Sequence, residues 1–336
     1  MKKSYLILSV LLLVALVAPF GTPSTAINRA AAITQAADIL LPNISITSPV
    51  AGVQLMGATL VVKGTANDSG SGVSRVEVRL NQSAYRLATP KSAGDWSTWS
   101  ITFDLSTVEL GAYKVLARVT DNAGNQNWSE VYVFYSLYDN FSSTYTLTPT
   151  YTSPNGKWYG VWNGAGSFGA AQYGGKNVFY ENTSPVTTSS NSQSALTLST
   201  QTFKNFELSL DVSTNKQTRL NSPPNNWEVA WIFWHYNDNT HFKYFLVKTD
   251  GSETGKYDGG VNPTDQKILY TSTSPKATIG GGMHWDIYVR GSHVVIQVNG
   301  VTVFNYYDSS TYNSGTIGLY AEDSQVTFSN VNILPL

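Results

Sequence analysis

From residue 43 to residue 336, the end of this chain, apolar side chains recur at every second position in short runs, and no long 3.6-residue period appears. Val76, Val78 and Leu80 alternate with Arg75, Glu77 and Arg79, and Tyr113, Val115, Ala117 and Val119 repeat the pattern. Successive side chains of a strand point to opposite faces, so each run describes a strand with one dry face. Asn67-Asp68-Ser69-Gly70, Ala93-Gly94-Asp95 and Asn122-Ala123-Gly124-Asn125 punctuate the runs as turns. The pattern predicts an all-β protein, with residues 43–136 as one β-sandwich.

A second unit, residues 137–336, carries the same grammar. Residues 227–236 and 241–248 read as a hairpin across Asn237-Asp-Asn-Thr240. Residues 284–290 and 293–298 pair across Gly291-Ser292, and Asn299-Gly300 makes a further tight turn. Two domains also suit a length of 336 residues.

Residues 1–26 have the form of a secretory signal: Lys2 and Lys3, an almost wholly apolar stretch over residues 5–20, then Ser24-Thr25-Ala26. Cleavage after Ala26 would leave 19 basic residues (21 less Lys2 and Lys3) against 22 acidic, a net charge of −3. Residues 27–42 form an Ala-rich leader, and no later segment is apolar enough to span a bilayer. The expected location is therefore secreted or at the cell surface. Cys is absent, so the domains must hold together by core area without disulfides. Sequons stand at Asn43, Asn67, Asn81, Asn127, Asn140 and Asn182 and matter only in a glycosylating host.

Charged residues make up 13% of the chain, about half the share of roughly 25% in soluble domains, and the formal net charge is −1. That balance gives no general grip on phosphate backbones, so a nucleic-acid partner is not expected. His235, His241, His284 and His293 are dispersed and give no zinc spacing. There is no G-x-x-x-x-G-K-S/T loop or G-x-S-x-G elbow.

Two resemblances add to this reading. Ile44-Ser-Ile-Thr-Ser-Pro49, Gly64-Thr-Ala66, Gly72-Val-Ser-Arg-Val-Glu-Val78, Gly111-Ala-Tyr-Lys-Val115 and Thr120-Asp-Asn-Ala-Gly-Asn125 resemble bacterial surface Ig-like modules, which act as spacers. In such a module Asp68 and Asp121 would either serve a structural calcium or be ordinary turn residues, and two isolated carboxylates favour the turns. Asp139-Asn-Phe141, Phe203-Lys-Asn-Phe-Glu-Leu208, Tyr244-Phe-Leu-Val247, Val298-Asn-Gly-Val301, Gly315-Thr-Ile-Gly-Leu-Tyr320 and Phe328-Ser-Asn-Val331 resemble the concanavalin A-like lectin/glucanase jelly roll. The likeness is to LamG-like modules and to the domain of 3-keto-disaccharide hydrolases. Ser329 replaces the Asp that many relatives carry in an F-D-N-V element, which weakens a calcium site there.

The resemblance implies a sugar-facing concave sheet. In the hairpin, Val229, Trp231, Phe233 and His235, with Phe242, Tyr244 and Leu246 opposite, form the more apolar set and are assigned to the core. The other set places Glu228, Trp234, Tyr236, His241 and Lys243 on the candidate ligand face, where rings would meet sugar C–H faces and polar groups the hydroxyls. Trp158 and Trp162, in what reads as a loop over residues 156–169, are further candidates.

Catalytic residues are not identifiable. Glycosidases need two carboxyl groups about 5–5.5 or 6.5–9.5 Å apart. The nearest run, Glu207-Leu-Ser-Leu-Asp211, has Ser209 at its middle position, and Glu228 has no acidic partner two residues away. The sequence thus predicts a secreted or cell-surface carbohydrate-binding protein whose Ig-like spacer presents a lectin-like jelly roll to a polysaccharide or glycan. A glycoside hydrolase or polysaccharide lyase on the same face is the alternative, and a structural or adhesive envelope protein the second.

Overall fold

The computed structural model describes residues 38–187, 191–259 and 265–336. The expected signal peptide and nearly all of the leader lie outside them. Residues 39–336 form one compact unit, and the described residues contain strands and no α-helix. None of them belongs to a helix long and apolar enough to cross a membrane.

The N-terminal half is an Ig-like sandwich. One sheet orders Asn43–Ser48, Thr59–Asn67, Asp95–Asp104 and Thr89–Ser92. The facing sheet orders Gln54–Leu55, Gln126–Tyr135, Gly111–Asp121, Val73–Leu80 and Arg86–Leu87. The alternation read from sequence is the alternation seen: Val76, Val78, Val115, Ala117 and Val119 are fully buried in a core that also holds Leu60, Val62 and Trp99. A carboxylate oxygen of Asp68 lies within 4.8 Å of one of Asp121, so groups isolated in sequence are neighbours in the fold. Each also serves its own loop. Asp68 accepts from the Gly70 and Gly72 amides at 3.1 and 2.7 Å, and Asp121 from the Asn125 backbone and side-chain amides at 2.8 Å each.

Only Ser136 separates the last Ig strand from Leu137–Asp139, which pairs with the final strand Ser324–Pro335. Asn332 in that strand donates to Gln54 Oε1 at 2.8 Å, and Leu110 of the Ig half packs against the core of the second sandwich.

That second sandwich has two large sheets. The nine-stranded sheet follows the path Tyr145–Leu147, Ser167–Tyr173, Lys176–Asn182, Ser324–Pro335, Phe206–Gln217, Gly282–Arg290, His293–Val298 and Val301–Tyr307, with Leu137–Asp139 at its side. The seven-stranded sheet orders Trp158–Asn163, Ser194–Phe203, Gly315–Glu322, Ala230–Asp238, His241–Lys248, Gly251–Asp258 and Gln266–Ser272. The tight turns fall where expected: Arg290 pairs with His293 across a turn opened by Gly291 at φ +61°, and Val298 with Val301 across Asn299 and Gly300, both at positive φ.

The main core lies between the sheets, where Phe206, Leu208, Leu210 and Val212 meet Ala230, Ile232, Trp234, Phe245 and Val247. This reverses the face assignment made from sequence. Trp234 is completely buried in the inter-sheet core, whereas Trp231, Phe233, Tyr244 and Leu246 belong to a separate cluster on the sheet's outer face. The reason is that every residue of 230–236 is buried. A strand covered on both sides gives two apolar sets, and neither is marked as the inner one.

A bulge between Phe233 and Tyr236 breaks the alternation as well. His235 sits there at φ +48°, and Tyr236 thereby joins the outer-face cluster with Trp231 and Phe233. Trp158 is likewise not in a loop. It lies fully buried in an edge strand, its indole N–H donating at 2.9 Å to Asp139, which also accepts from the Phe141 amide and from Asn155 Nδ2.

Candidate functional site

The outer face of the seven-stranded sheet is a continuous aromatic surface. Phe233 stacks on Phe242 and Tyr320 at centroid distances of 4.5 and 4.7 Å, and Phe242 stacks on Tyr257 at 4.8 Å. Trp231 packs against Tyr244 at 5.2 Å and against the edge of Tyr320 at 5.7 Å. The register explains the assembly, because Trp231 pairs with Tyr320, Phe233 with Tyr244 and Phe242 with Tyr257 across adjacent strands. Trp231, Phe233, Phe242 and Tyr244 are nearly buried, while Trp162, Tyr257 and Tyr320 keep part of their surface open.

Polar groups border this floor. Glu322, two residues beyond Tyr320 on the same face and partly exposed, accepts from Tyr320 Oη at 3.1 Å and from Ser192 Oγ at 3.2 Å. Burial, with Asp323 and Glu228 nearby, pushes its carboxyl above the ordinary range despite those hydrogen bonds. Behind it Arg219 bridges Glu228 at 2.5 Å and Asp323 at 2.7 Å. Asn225 donates to the same Glu228 oxygen, and Trp162 Nε1 donates to Ser194 Oγ at 3.0 Å. At the other border Tyr244 Oη donates to Glu253 at 2.9 Å, Lys248 pairs with Glu253 at 3.0 Å, and Gln266 donates to Tyr244 Oη.

The residues singled out from sequence scatter across this architecture. Trp162 and Tyr236 lie on the aromatic face, and Tyr236 donates to Asn239 Oδ1. Glu228 is fully buried in the Arg219 bridge beneath the Glu322 border. His241 stands at the hairpin end, its Nδ1 3.1 Å from Asp238. Lys243 turns inward with Trp234, 2.6 Å from Asp308 and 3.3 Å from His235 Nδ1. The His235 ring, donating through Nε2 to the Lys204 carbonyl, accepts from Lys243 at Nδ1. Burial and the Lys243 charge hold His235 down to about 4. Tyr257, Tyr320 and Glu322 were missed. The i, i+2 spacing of Tyr320 and Glu322 in a strand already recognised was the available signal.

On the outer face of the nine-stranded sheet, Ser209 Oγ lies 3.1 Å from His284 Nε2, and His284 Nδ1 lies 2.8 Å from Asp211. These distances suit a serine triad, but Asp286 also reaches Nε2 at 3.3 Å. Burial opposes the charge on His284, yet its hydrogen bond to Asp211 and the charges of Asp211 and Asp286 together raise its pKa. Both ring nitrogens thus face a carboxylate, and Ser209, Asp211, His284 and Asp286 form a cross-strand polar network on this face.

Comparison with known proteins fits this architecture. The model of the 3-keto-alpha-glucoside-1,2-lyase-like domain matches residues 146–334, and that of a bacterial Ig domain matches residues 42–117. No curated protein matches the chain. Among solved structures, the carbohydrate-binding module CBM66 from Bacillus subtilis aligns at 14% identity and TM-score 0.39 over 52% of this chain and 93% of its own. The exoplasmic/lumenal domain of VIP36 in its Ca2+/Man-bound form aligns at 8% identity and TM-score 0.39 over 57% and 89%. The alginate lyase AlyC3 aligns at 12% identity and TM-score 0.34 over 46% and 74%. Similarity of this size does not choose among the activities those names describe. The second sandwich is of the concanavalin A-like lectin/glucanase type, and the chain belongs to the family of 3-keto-alpha-glucoside-1,2-lyase-like domains, with a bacterial Ig domain in front.

Proposed function

We propose that the protein is a secreted or cell-surface carbohydrate-binding protein that presents the jelly roll on its Ig-like spacer. The carrying observation is the outer face of the seven-stranded sheet, where partly open Trp162, Tyr257 and Tyr320 stand beside Glu322. A pyranose offers flat C–H faces to rings and hydroxyls to carboxyl and phenol groups, and this face supplies both within one strand register. Glu322 and Tyr320 would take sugar hydroxyls, and the buried Arg219 bridge would fix the backbone that carries them.

A glycan array probed with the chain lacking residues 1–26 tests the reading. Binding that Tyr257→Ala and Glu322→Gln both weaken supports it. Array-wide silence, or binding indifferent to both substitutions, sinks it. A second reading, an enzyme on the same face, is favoured by one feature: the Glu322 carboxyl, raised by burial above its ordinary range, stands beside an aromatic floor, where a general acid would be placed. The family is described by a lyase of 3-keto-alpha-glucosides, and that substrate is the first to try. Product release abolished by Glu322→Gln with binding retained would establish catalysis.

A further inference from the structure

A groove of about 350 Å³ opens on the outer face of the nine-stranded sheet, away from the aromatic face just described. Its position follows from register. Ala171 pairs with Val178, and Ser167 with Asn182, between the strands Ser167–Tyr173 and Lys176–Asn182. Tyr180 and Asn182 pair in turn with Thr327 and Gln325 of the final strand. Val178 is buried, yet it belongs to neither inter-sheet core nor outer aromatic cluster, so what covers it lies on this face. Tyr173 is 56% exposed and Tyr180 partly exposed, which gives the groove two rings above a floor of Ala171 and Val178.

None of the lining residues carries a charge. Lys176 and Lys216 occupy the adjoining register positions, paired with Tyr173 and Gln325, without lining the groove. The side chains of Asn182 and Gln325 line it with no hydrogen-bond partner among the described residues. An amide offers both donors and an acceptor, and sugar hydroxyls need both. A concave site with rings for C–H faces, amides for hydroxyls and no ion is matched to a neutral saccharide, and its volume is at the lower end of the roughly 300–1,000 Å³ of ligand pockets.

We infer that this groove is a second saccharide site, taking one or two units of a neutral glycan, separate from the face that carries Glu322. Nothing in this inference depends on the first face binding sugar. Two sites on opposite sheets of one sandwich would let a single chain hold two strands of a polysaccharide, with affinity multiplied by tethering.

The test uses the chain lacking residues 1–26, made in a host without N-glycosylation because Asn182 is also a sequon. Cellohexaose, laminarihexaose, maltohexaose and levan oligosaccharides serve as neutral probes, with oligogalacturonate as the anionic one, followed by calorimetric titration. Binding of a neutral probe that Tyr173→Ala weakens at least tenfold, both in the parent chain and in a Tyr257→Ala background where the first face is disabled, supports the groove. Gln325→Ala, a smaller change on the same wall, should weaken it severalfold and decides the matter if Tyr173→Ala lowers stability. No neutral binding, binding of the anionic probe alone, or neutral binding indifferent to Tyr173 and Gln325 would overturn the proposal. Loss through Tyr257→Ala alone would leave the first face standing without the groove.

Discussion

The two faces of the seven-stranded sheet are built from alternate residues of the same strands, and both are buried, yet they differ in kind. The inner face presents Ala230, Ile232, Trp234, Phe245 and Val247 to the opposite sheet and closes on the Lys243–Asp308 pair. The outer face presents Trp231, Phe233, Phe242 and Tyr244, which bury one another by stacking ring on ring. Low exposure alone therefore does not separate core from site. The separation comes at the margin: the outer face ends in partly open Trp162, Tyr257, Tyr320 and Glu322, whereas the inner face ends in ion pairs already satisfied within the protein.

Removing a large ring from the inner face should break the fold and leave the site untouched. Trp234→Ala is expected to cost about 3–5 kcal/mol, measured by urea unfolding. Trp234→Phe should cost far less, because the indole N–H has no hydrogen-bond partner to lose. A Trp234→Ala variant with normal stability and lost glycan binding would reverse the two faces again.

The ion pairs at the inner margin make the next test, by pH. His235 is held at about 4 in the fold, by burial first and the Lys243 charge second, against about 6.5 unfolded. A depressed histidine means that the unfolded chain binds more protons between those values. Stability is therefore complete above about 6.5 and falls as pH drops toward 4. The shift corresponds to about 3 kcal/mol at most. His235→Asn, which tolerates the positive φ at this bulge, should remove that part of the acid loss when unfolding is compared at pH 7 and pH 4.5. An unchanged acid slope would mean that the ring is not the group titrating.

Glu181 gives an effect of opposite sign. It is wholly buried near Thr197, neither oxygen reaches a hydrogen-bond partner, and burial raises its carboxyl well above the usual range. A raised acid is worth most below its unfolded pKa, and its contribution declines as pH rises toward the folded value. Glu181→Gln should therefore flatten the loss of stability when unfolding is compared between pH 5 and pH 9. An unchanged pH dependence would show that the carboxyl is already ionised in the fold.

These margins also mark where the sequence could be read and where it could not. In the Ig half one face of each sheet is wet, so Arg75, Glu77 and Arg79 identify Val76, Val78 and Leu80 as the inner set without ambiguity. Gly291 and the Asn299-Gly300 pair announce their turns because positive φ restricts the residues that fit. Residues 230–236 offer no such contrast. Trp231 and Trp234 are equally apolar, and the bulge at His235 shifts the phase in mid-strand. Trp158 was misplaced because glycines around it suggested a loop. Gly160 is in fact small to make room for Phe168, since a Cβ there would meet that ring at 2.5 Å. The Glu322 border joins Ser192, Arg219, Glu228 and Asp323, groups up to 131 residues apart, and only the topology brings them together.

The smallest expected change in stability is the most telling for the comparison. Tyr257 is partly exposed at the rim of the outer face and stacks on Phe242. Tyr257→Ala removes a ring that solvent already reaches, so the unfolding midpoint should move by less than the equivalent of about 1 kcal/mol. Glycan affinity should fall by about 1 kcal/mol or slightly more, the lower end of what ring stacking contributes in nucleic-acid recognition. That outcome, set beside Trp234→Ala, would give one face that holds the fold and one that holds a ligand, each altered without the other. If Tyr257→Ala unfolds the domain, the outer rings form a second core sealed by their own stacking. The structural or adhesive reading would then gain on the carbohydrate-binding one, because the rim ring would be holding the fold and not waiting for a sugar.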